Sequence, residues 1–244
     1  KLKLHRQLSL GKIRGELMYE TLMKTENLER KFEMPDKTTF CALNNINITI
    51  PKGKLTILRG KSGSGKTTLM NLLGALDKPT AGEIYLNDLK FSSLSEEEIV
   101  TLRRNKIGFV FQSVALIPIM SAYENVEYAL RLAGVNENRD ERVKECLKMV
   151  GLLGRMNHMP MEMSGGEQQR VAIARAIAHR PALIFADEPT AELDTNTSLQ
   201  VVKIFKELVE KEGVTVVMTT HDVGLMSVGD VVYELEDGEI ISGK

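Results

Sequence analysis

Apolar residues recur at every second position in the first part of the chain. Residues 25–33 and 39–50 both show this alternation, and Met34-Pro35-Asp36-Lys37 between them has the composition of a turn. A spacing of two places apolar side chains on one face of a strand. The pattern therefore predicts two antiparallel strands ahead of the next apolar run, residues 55–58.

Between residues 113 and 163 the pattern changes to a helical one. Ser121 forms a Ser-x-x-Glu capping box with Glu124, and residues 139–150 place apolar side chains on one face of a second helix. The segment also holds six of the twelve methionines: Met120, Met149, Met156, Met159, Met161 and Met163. Methionine packs adaptably, so these residues indicate either a soft helical core or a surface that docks another protein.

The rest of the chain alternates between short apolar strands and helices. The predicted elements are strand 107–111 ending at Gln112, helix 168–179, strand 183–186, helix 198–210, strand 214–219 and a hairpin over 231–241. Such alternation predicts an α/β fold with a largely parallel sheet, whose ligand binds at the carboxyl ends of the strands. Residues 60–67, Asp187 and His221 follow such strands, so we expect them to converge.

The segment after residues 55–58 matches the phosphate-binding pattern G-x-x-x-x-G-K-[ST]. It consists of Gly60, Lys61, Ser62, Gly63, Ser64, Gly65, Lys66 and Thr67, with Thr68 in the predicted helix behind it. Glycine lets the backbone turn so that successive N–H groups face phosphate oxygens, and Lys66 adds a positive charge. Chance produces the pattern in roughly one in a hundred chains of this length. Because a strand precedes it and a helix follows, we predict nucleotide binding.

Two acidic residues, Asp187 and Glu188, follow the apolar strand 183–186. A carboxylate there can orient Mg²⁺ through water, and the Thr67 hydroxyl can bind the same ion directly. Glu188 lies one residue further along, where it can polarise or deprotonate a water in line with the terminal phosphate. The alternative, two solvated surface acids, is less favoured behind an apolar strand in a chain with a phosphate loop.

Ser164-Gly165-Gly166-Glu167 is a second candidate anion site. Ser164 and Glu167 have the spacing of a capping box, and the glycines leave bare N–H groups at the positive end of the helix. Residues 60–67 already provide one phosphate site in the chain. A second anion site is explained if this helix end closes over a nucleotide that is bound to another copy of the same chain. Two-fold pairing makes both sites equivalent.

The composition narrows the classes of function. The 244 residues are 43% hydrophobic and 27% charged with a formal net charge of −1, so no basic field indicates a nucleic-acid partner. Cys41 and Cys146 lack metal-ligand spacing, which indicates reduced cytosolic thiols. No apolar run reaches the roughly 18 residues of a spanning helix, so membrane association is expected to come from a partner.

Residues 1–24 contain six basic and two acidic side chains, a net charge of +4, with leucines between them. Three interpretations are open. The segment is a solvated tail, a packed extension or, less favoured, an amphipathic stretch on an anionic membrane surface.

Together the motifs resemble the ATP-binding cassette (ABC) ATPases. Over residues 24–241 they have the order and approximate spacing of that family: the phosphate loop, Gln112, Ser164 to Glu167, Asp187 with Glu188, and His221. Three segments are similar to its MacB/LolD-type branch, whose members serve macrolide or peptide export, lipoprotein release and related envelope tasks: residues 74–79, 109–112 and 124–127. The resemblance implies an ATPase that uses ATP and Mg²⁺.

The resemblance also implies an α/β fold of a particular kind, a P-loop NTPase (RecA-like) core with an antiparallel β subdomain and an inserted α-helical subdomain. The expected divisions are an N-terminal extension over 1–23, the β subdomain and first part of the core over 24–112, the helical subdomain over 113–163, and the second part of the core over 164–244. The phosphate loop then lies in the first part of the core and the acidic pair in the second.

Carried over position by position, the resemblance implies a role for each motif. The catalytic residues would be Glu188, His221 and Gln112. The metal ligands would be Thr67, Gln112 and Asp187. The γ-phosphate would be held across a dimer by Ser164, Gly165 and Gly166, and bonded from the far side by His221. Glu167 would complete the nucleotide-binding set at the same helix end. Phe32 would stack on the adenine, with a place in the apolar core as the alternative, and residues 191–194 would touch the opposite subunit.

Two places depart from the family pattern. The signature usually begins Leu-Ser-Gly-Gly-Gln, whereas this chain has Met163 and Glu167. Methionine conserves volume and glutamate keeps the capping role, but an extra carboxylate near a triphosphate can weaken closure. The sequence therefore leaves the rate of ATP hydrolysis undecided, whereas it does not put the reaction itself in doubt. Glu192 stands where relatives have a smaller or neutral residue, and the sequence offers no explanation for it.

The resemblance implies the ATP-hydrolysing nucleotide-binding subunit or domain of an ABC transporter or mechanotransmission complex, energising export or release of a substrate. The expected partners are a second copy in a head-to-tail ATP-sandwich dimer and a transmembrane permease subunit or fused domain, with no nucleic acid. The permease would hold the chain at the cytoplasmic face of the cell membrane, gripping residues 113–120. Two alternatives stay open: a non-transporting ATPase that regulates envelope or cell-wall enzymes through a membrane partner and, less favoured, a nucleic-acid- or ribosome-associated ATPase.

Overall fold

Strands and helices follow one another closely along the chain. A computed structural model describes residues 19–243, so most of the predicted extension, residues 1–18, lies outside the described residues. The strands are β1 (Thr21–Glu33), β2 (Thr39–Ile46), β3 (Thr49–Pro51), β4 (Leu55–Arg59), β5 (Ala81–Leu86), β6 (Leu89–Lys90), β7 (Ile107–Val110), β8 (Leu183–Ala186), β9 (Thr215–Thr220), β10 (Val231–Glu236) and β11 (Glu239–Gly243). The helices are α1 (Lys66–Leu73), α2 (Glu96–Lys106), α3 (Ala122–Leu132), α4 (Arg139–Met149), α5 (Gly165–Ile177) and α6 (Thr195–Glu212).

The central sheet has six strands in the order β11-β10-β4-β9-β8-β7. The strands from β10 to β7 pair in parallel, and β11 joins β10 antiparallel. The phosphate-loop strand β4 lies beside β9, and β9 lies beside β8, so the segments that follow these three strands meet at one edge. The sheet confirms the predicted α/β fold.

Both faces of the central sheet are buried. Along β8, Ile184 and Ala186 pack into one apolar cluster, whereas Leu183 and Phe185 pack into another. Helices α3, α4, α5 and α6 contribute to the first cluster, and α1 with the antiparallel strands contributes to the second. Successive side chains of a strand point to opposite faces, so a strand covered on both sides requires a continuous apolar run.

The predicted antiparallel strands form a second sheet in the order β2-β1-β5-β6, with β3 paired to β1. The run over 39–50 is divided into β2 and β3 at residues 47–48, and Asn45 near the end of β2 has a left-handed conformation (φ 49°). Strand β1 begins at Thr21, before the predicted strand at residue 25, and both Leu22 and Met23 are buried. The predicted divisions at residues 24, 113 and 164 stay predictions.

Capping boxes begin α3 and α5, as the sequence predicts, and a further one begins α2. Helix α5 begins directly after its cap Ser164, as the capping box predicts, and before residue 168, where the apolar pattern places its start. Helix α6 begins earlier than predicted, directly after its cap Asp194. The Asp194 side chain accepts hydrogen bonds from the N–H groups of Asn196 and Thr197, so the helix begins at its cap and not at its first apolar residue. Within residues 19–243, no helix has the length and apolar composition needed to cross a membrane.

The methionines of the segment 113–163 divide between core and surface. Met163 is buried, Met149 and Met156 pack against the core, and Met161 is 86% exposed. The soft-core interpretation therefore holds for the first three. Docking of another protein on the exposed methionines stays a prediction.

Candidate functional site

The phosphate loop surrounds its own lysine. Gly63 and Gly65 have left-handed backbone conformations (φ 81° and 100°), which residues with a side chain rarely adopt. Lys66 is buried, and its Nζ donates hydrogen bonds to the carbonyl oxygens of Gly60 and Lys61 at 2.8 and 3.0 Å. The ammonium group thus lies at the centre of the loop, where phosphate oxygens can replace the two carbonyls.

Asp187 lies beside the first turn of α1. The Thr67 hydroxyl donates to its Oδ1 at 3.3 Å, and the buried Thr219 hydroxyl donates to the same oxygen at 2.7 Å. Hydroxyl and carboxylate oxygens are ligands that Mg²⁺ prefers, so Thr67 and Asp187 fit the predicted ion. In the described part of the chain, no three His, Cys, Asp or Glu side chains group as a metal site. Water and phosphate oxygens would supply the remaining ligands.

Glu188 lies between the phosphate-loop lysine and a histidine. Its Oε1 is 3.5 Å from Lys66 Nζ, and its Oε2 is 3.1 Å from His221 Nδ1. Its side chain is 20% exposed, which leaves room for water at the carboxylate. The predicted convergence of the phosphate loop, Asp187 and His221 is therefore confirmed, while the catalytic role of each residue stays a prediction.

Thr219 is a site residue that the sequence reasoning missed. Its hydroxyl accepts a hydrogen bond from the Glu188 N–H at 2.7 Å and donates to Asp187. The signal in the sequence is weak: a polar residue near the end of an apolar strand, two positions before His221.

Gln112 and Phe32 lie at the margins of this centre. The carbonyl oxygen of Val110 accepts a hydrogen bond from the Asp187 N–H at 2.8 Å, so the exposed Gln112 follows two residues beyond that contact. Phe32 belongs to neither apolar cluster, and the Arg30 guanidinium lies 4.4 Å from its ring centre. The core alternative for Phe32 is therefore wrong, and its contact with adenine stays a prediction.

The signature segment forms a separate helix tip. Ser164 and Gly165 are exposed, whereas Gly166 is buried against Thr197, whose methyl carbon would lie 2.3 Å from an added Cβ. The Glu167 carboxylate accepts hydrogen bonds from the Ser164 N–H and hydroxyl at 2.9 and 3.1 Å. The backbone hydrogen bond is the main reason why the pKa of Glu167 lies below its ordinary value. Among the described residues, no hydrogen bond or ion pair joins this tip to the phosphate loop.

Two clefts open onto the catalytic edge. One of about 420 Å³ is lined by residues 59–64, His221 and residues 234–237. The other, of about 440 Å³, is lined by Glu188, His221 and part of the segment 191–194 that is predicted to touch a second subunit. A cleft of about 450 Å³ between α1 and α2 contains none of the predicted site residues. The clefts that bear the chemistry are those at the ends of β4, β8 and β9.

Comparison with known proteins identifies this arrangement. The family model described as ABC transporter matches residues 43–191, which include the phosphate loop, the signature tip and the acidic pair. The chain belongs to the ABC transporter family. Its fold is accordingly that of the ABC cassettes, a P-loop NTPase, as the resemblance implies.

The uncharacterized ABC transporter ATP-binding protein MJ0796 of Methanocaldococcus jannaschii is one similar relative. It is 45% identical over 224 residues, which are 90% of this chain and 95% of that protein. Its dimeric post-hydrolysis structure, bound to ADP and Pi, has a TM-score of 0.84 at 42% identity and covers 91% of this chain and 97% of that chain. Together with the family match, this similarity shows that the chain is an ATP-hydrolysing enzyme.

Two further relatives belong to transporters. The macrolide export ATP-binding/permease protein MacB of Vibrio parahaemolyticus is 40% identical over 226 residues, which are 92% of this chain but 34% of that protein. The structure of cbiO1 from Clostridium perfringens, part of the complex cbiONQ, has a TM-score of 0.81 at 30% identity and covers 92% of this chain and 88% of that chain. The predicted ABC ATPase of the MacB/LolD-type branch is therefore confirmed.

Proposed function

We propose that this ABC ATPase energises the export or release of a substrate through a partner permease. Two copies pair head to tail and hold two ATP molecules between them. The observation that supports this most directly is the separation of two anion sites within one chain. Lys66, Asp187 and Glu188 gather at one edge of the sheet, whereas the Ser164-led helix tip is exposed elsewhere.

The chemistry follows from the contacts of the catalytic edge. A triphosphate is a stronger partner for an ammonium group than a carbonyl oxygen, so ATP draws Lys66 away from the carbonyl oxygens of Gly60 and Lys61. Glu188 then polarises the attacking water, with His221 Nδ1 holding its other oxygen. Thr67 and Asp187 would hold Mg²⁺, which offsets phosphate charge when bound.

The permease contact is proposed for residues 113–120. Ile119 is 81% exposed, and Arg175 of α5 donates hydrogen bonds to the carbonyl oxygens of Ala115 and Val114 at 2.6 and 3.3 Å. This segment follows Gln112 and is anchored on the signature helix, so it can pass the nucleotide state to a partner. Through this contact the cassette is held at the cytoplasmic face of the cell membrane.

The test uses Glu188→Gln. Glutamine keeps the shape of the side chain but accepts no proton, so hydrolysis falls at least about a hundredfold while ATP is still bound. The variant is expected to elute as a dimer from a sizing column only when ATP and Mg²⁺ are present. Adding Ser164→Asp keeps an N-cap acceptor but places a negative charge at the helix tip, and should return the protein to a monomer. Unchanged hydrolysis in Glu188→Gln, or a dimer indifferent to Ser164→Asp, contradicts the proposal.

A further inference from the structure

Glu167 places a negative charge on the helix tip that, in the proposed function, receives the partner's ATP. Its Oε2 accepts a hydrogen bond from the Ser164 hydroxyl at 3.1 Å, so the carboxylate lies next to the group expected to contact the γ-phosphate. Like charges a few ångströms apart repel strongly enough to shift a binding equilibrium several-fold. The helix tip therefore needs a cation that offsets this carboxylate.

Arg155 is the cation that faces Glu167. Its Nε lies 3.4 Å from Glu167 Oε1, and another of its nitrogens donates a hydrogen bond to the carbonyl oxygen of Glu162 at 2.8 Å. The Nε atom is buried and forms no hydrogen bond within residues 19–243. The interaction found for this atom is the ion pair with the Glu167 carboxylate. The two side chains are 39% and 22% exposed, which reduces the screening of the pair by water.

The backbone around Arg155 is fixed to helix α3. Arg155 ends a short 3-10 turn. The carbonyl oxygens of Met156 and His158 then accept hydrogen bonds from the N–H groups of Tyr123 and Ala122 at 2.8 and 2.9 Å. The guanidinium is thus held opposite Glu167 by the framework of the helical segment.

Arg170 is the other cation near the carboxylate, one turn further along α5. It donates a hydrogen bond to Gln200 Oε1 of α6 at 3.3 Å, so it is engaged away from the tip. Arg155 is the better placed of the two.

We propose that Arg155 is a positioning residue that offsets the charge of Glu167 and holds its carboxylate back from the partner's ATP. Arg155 touches neither the phosphates nor the attacking water and acts through Glu167. Because Arg155 offsets the charge, a signature segment with glutamate in place of the usual glutamine can still bind the partner's triphosphate in the closed dimer. The inference rests on the proposed function and adds a residue that lies outside every motif.

The test measures ATP-dependent dimer affinity in the Glu188→Gln background by sedimentation velocity. Arg155→Gln is expected to weaken the dimer at least about fivefold, because the carboxylate is left uncompensated. Adding Glu167→Gln to that variant should restore the affinity to within about twofold, since the charge that needed Arg155 is gone. The deficit of Arg155→Gln should shrink between about 0.05 and 0.5 M salt, as expected for a screened repulsion.

The matched control is Arg131→Gln, which removes one of the two cations that pair with Glu127 on α3 and should leave dimer affinity unchanged. If Arg155→Gln lowers the thermal unfolding midpoint of the nucleotide-free protein too far for measurement, Arg155→Lys keeps the charge and should keep the affinity within about threefold.

Unchanged affinity in Arg155→Gln overturns the inference. So does a double variant that dimerises no better than Arg155→Gln, which would assign Arg155 a structural role through Glu162. A Glu188→Gln parent that stays monomeric with ATP contradicts the proposed function itself, and the inference fails with it.

Discussion

The hydroxyl group of Thr219 bridges the two acidic residues at the end of β8. It donates to Asp187 Oδ1 and accepts from the Glu188 N–H, both at 2.7 Å. Glu188 has a left-handed backbone conformation (φ 43°), which costs on the order of 1 kcal/mol for a residue with a side chain. A side chain on the neighbouring strand therefore helps to hold the proposed general base in its conformation.

Thr219→Val removes this hydroxyl at nearly constant volume. The Glu188 N–H loses its buried acceptor and Asp187 loses a donor, so we expect the free energy of unfolding to fall by about 1–3 kcal/mol. The ATPase rate should fall at least about tenfold, as for the loss of a group that orients a metal ligand. Urea unfolding and steady-state hydrolysis measure the two effects.

Two controls isolate the bridge. Thr219→Ser keeps the hydroxyl and should stay within about threefold of the wild-type rate. Thr56→Val makes the same change at a buried hydroxyl on β4 that has no hydrogen-bond partner among the described residues, and should be neutral or stabilising. Equal rates in Thr219→Val and Thr219→Ser would rule out the bridging role.

The segment between β7 and α3 contains no helix or strand, yet one buried side chain holds its end. Asn125 of α3 is fully buried, and its Oδ1 accepts a hydrogen bond from the Ile117 N–H at 2.8 Å. Its Nδ2 contacts the carbonyl oxygens of Ile117, Met120 and Ser121 at 3.2, 2.9 and 3.0 Å. The proposed permease contact is thus shaped before a partner binds.

Asn125→Ala removes all of these bonds at once. Buried backbone groups then lack partners, and we expect a loss of about 1–3 kcal/mol in the free energy of unfolding. The effect is measured by urea denaturation against Asn136→Ala, an exposed asparagine of the next loop that should change stability by less than about 0.5 kcal/mol. Equal stability of the two variants would show that the network is dispensable.

In the complete molecule, the proposed sites are composite. Lys66 and Glu188 belong to one half of a site, and Ser164 belongs to the half that a second copy supplies. Two-fold pairing of identical chains makes both sites alike. Changes in different halves can therefore complement each other, whereas changes in the same half cannot.

Mixing Lys66→Ala with Ser164→Asp tests this arrangement. Each variant alone has two damaged sites, whereas a dimer of the two variants has one site with neither change. If the two sites act independently, the mixture should hydrolyse ATP well above the average of its components and at no more than roughly half of the wild-type rate, since one site of each mixed dimer is intact. Lys66→Ala mixed with Glu188→Gln is the control, because both residues lie in the same half and no intact site can form. A Lys66→Ala and Ser164→Asp mixture no faster than the average of its components would show that each site is built from one chain.

Features whose bonds are local could be predicted from the sequence. The phosphate loop is contiguous, and each capping box joins residues three positions apart, so Ser121 with Glu124 and Ser164 with Glu167 are visible as spacings. Alternation of apolar strands and helices was likewise enough for the α/β fold. The errors, at the start of β1 and at the starts of α5 and α6, fall at the ends of elements, where caps and packing outweigh periodicity.

The roles of Thr219, Asn125 and Arg155 could not be obtained in this way. Thr219 meets Glu188 across 31 positions because β9 lies beside β8, an adjacency that periodicity does not encode. Arg155 faces Glu167 only after a turn and the start of α3 have packed together. The amino-acid sequence by itself determined the phosphate loop, the helix caps and the alternation of strands and helices, because these features depend on neighbours along the chain. Which side chains orient the acids and offset the signature charge depends on how the strands are ordered and the helices are packed.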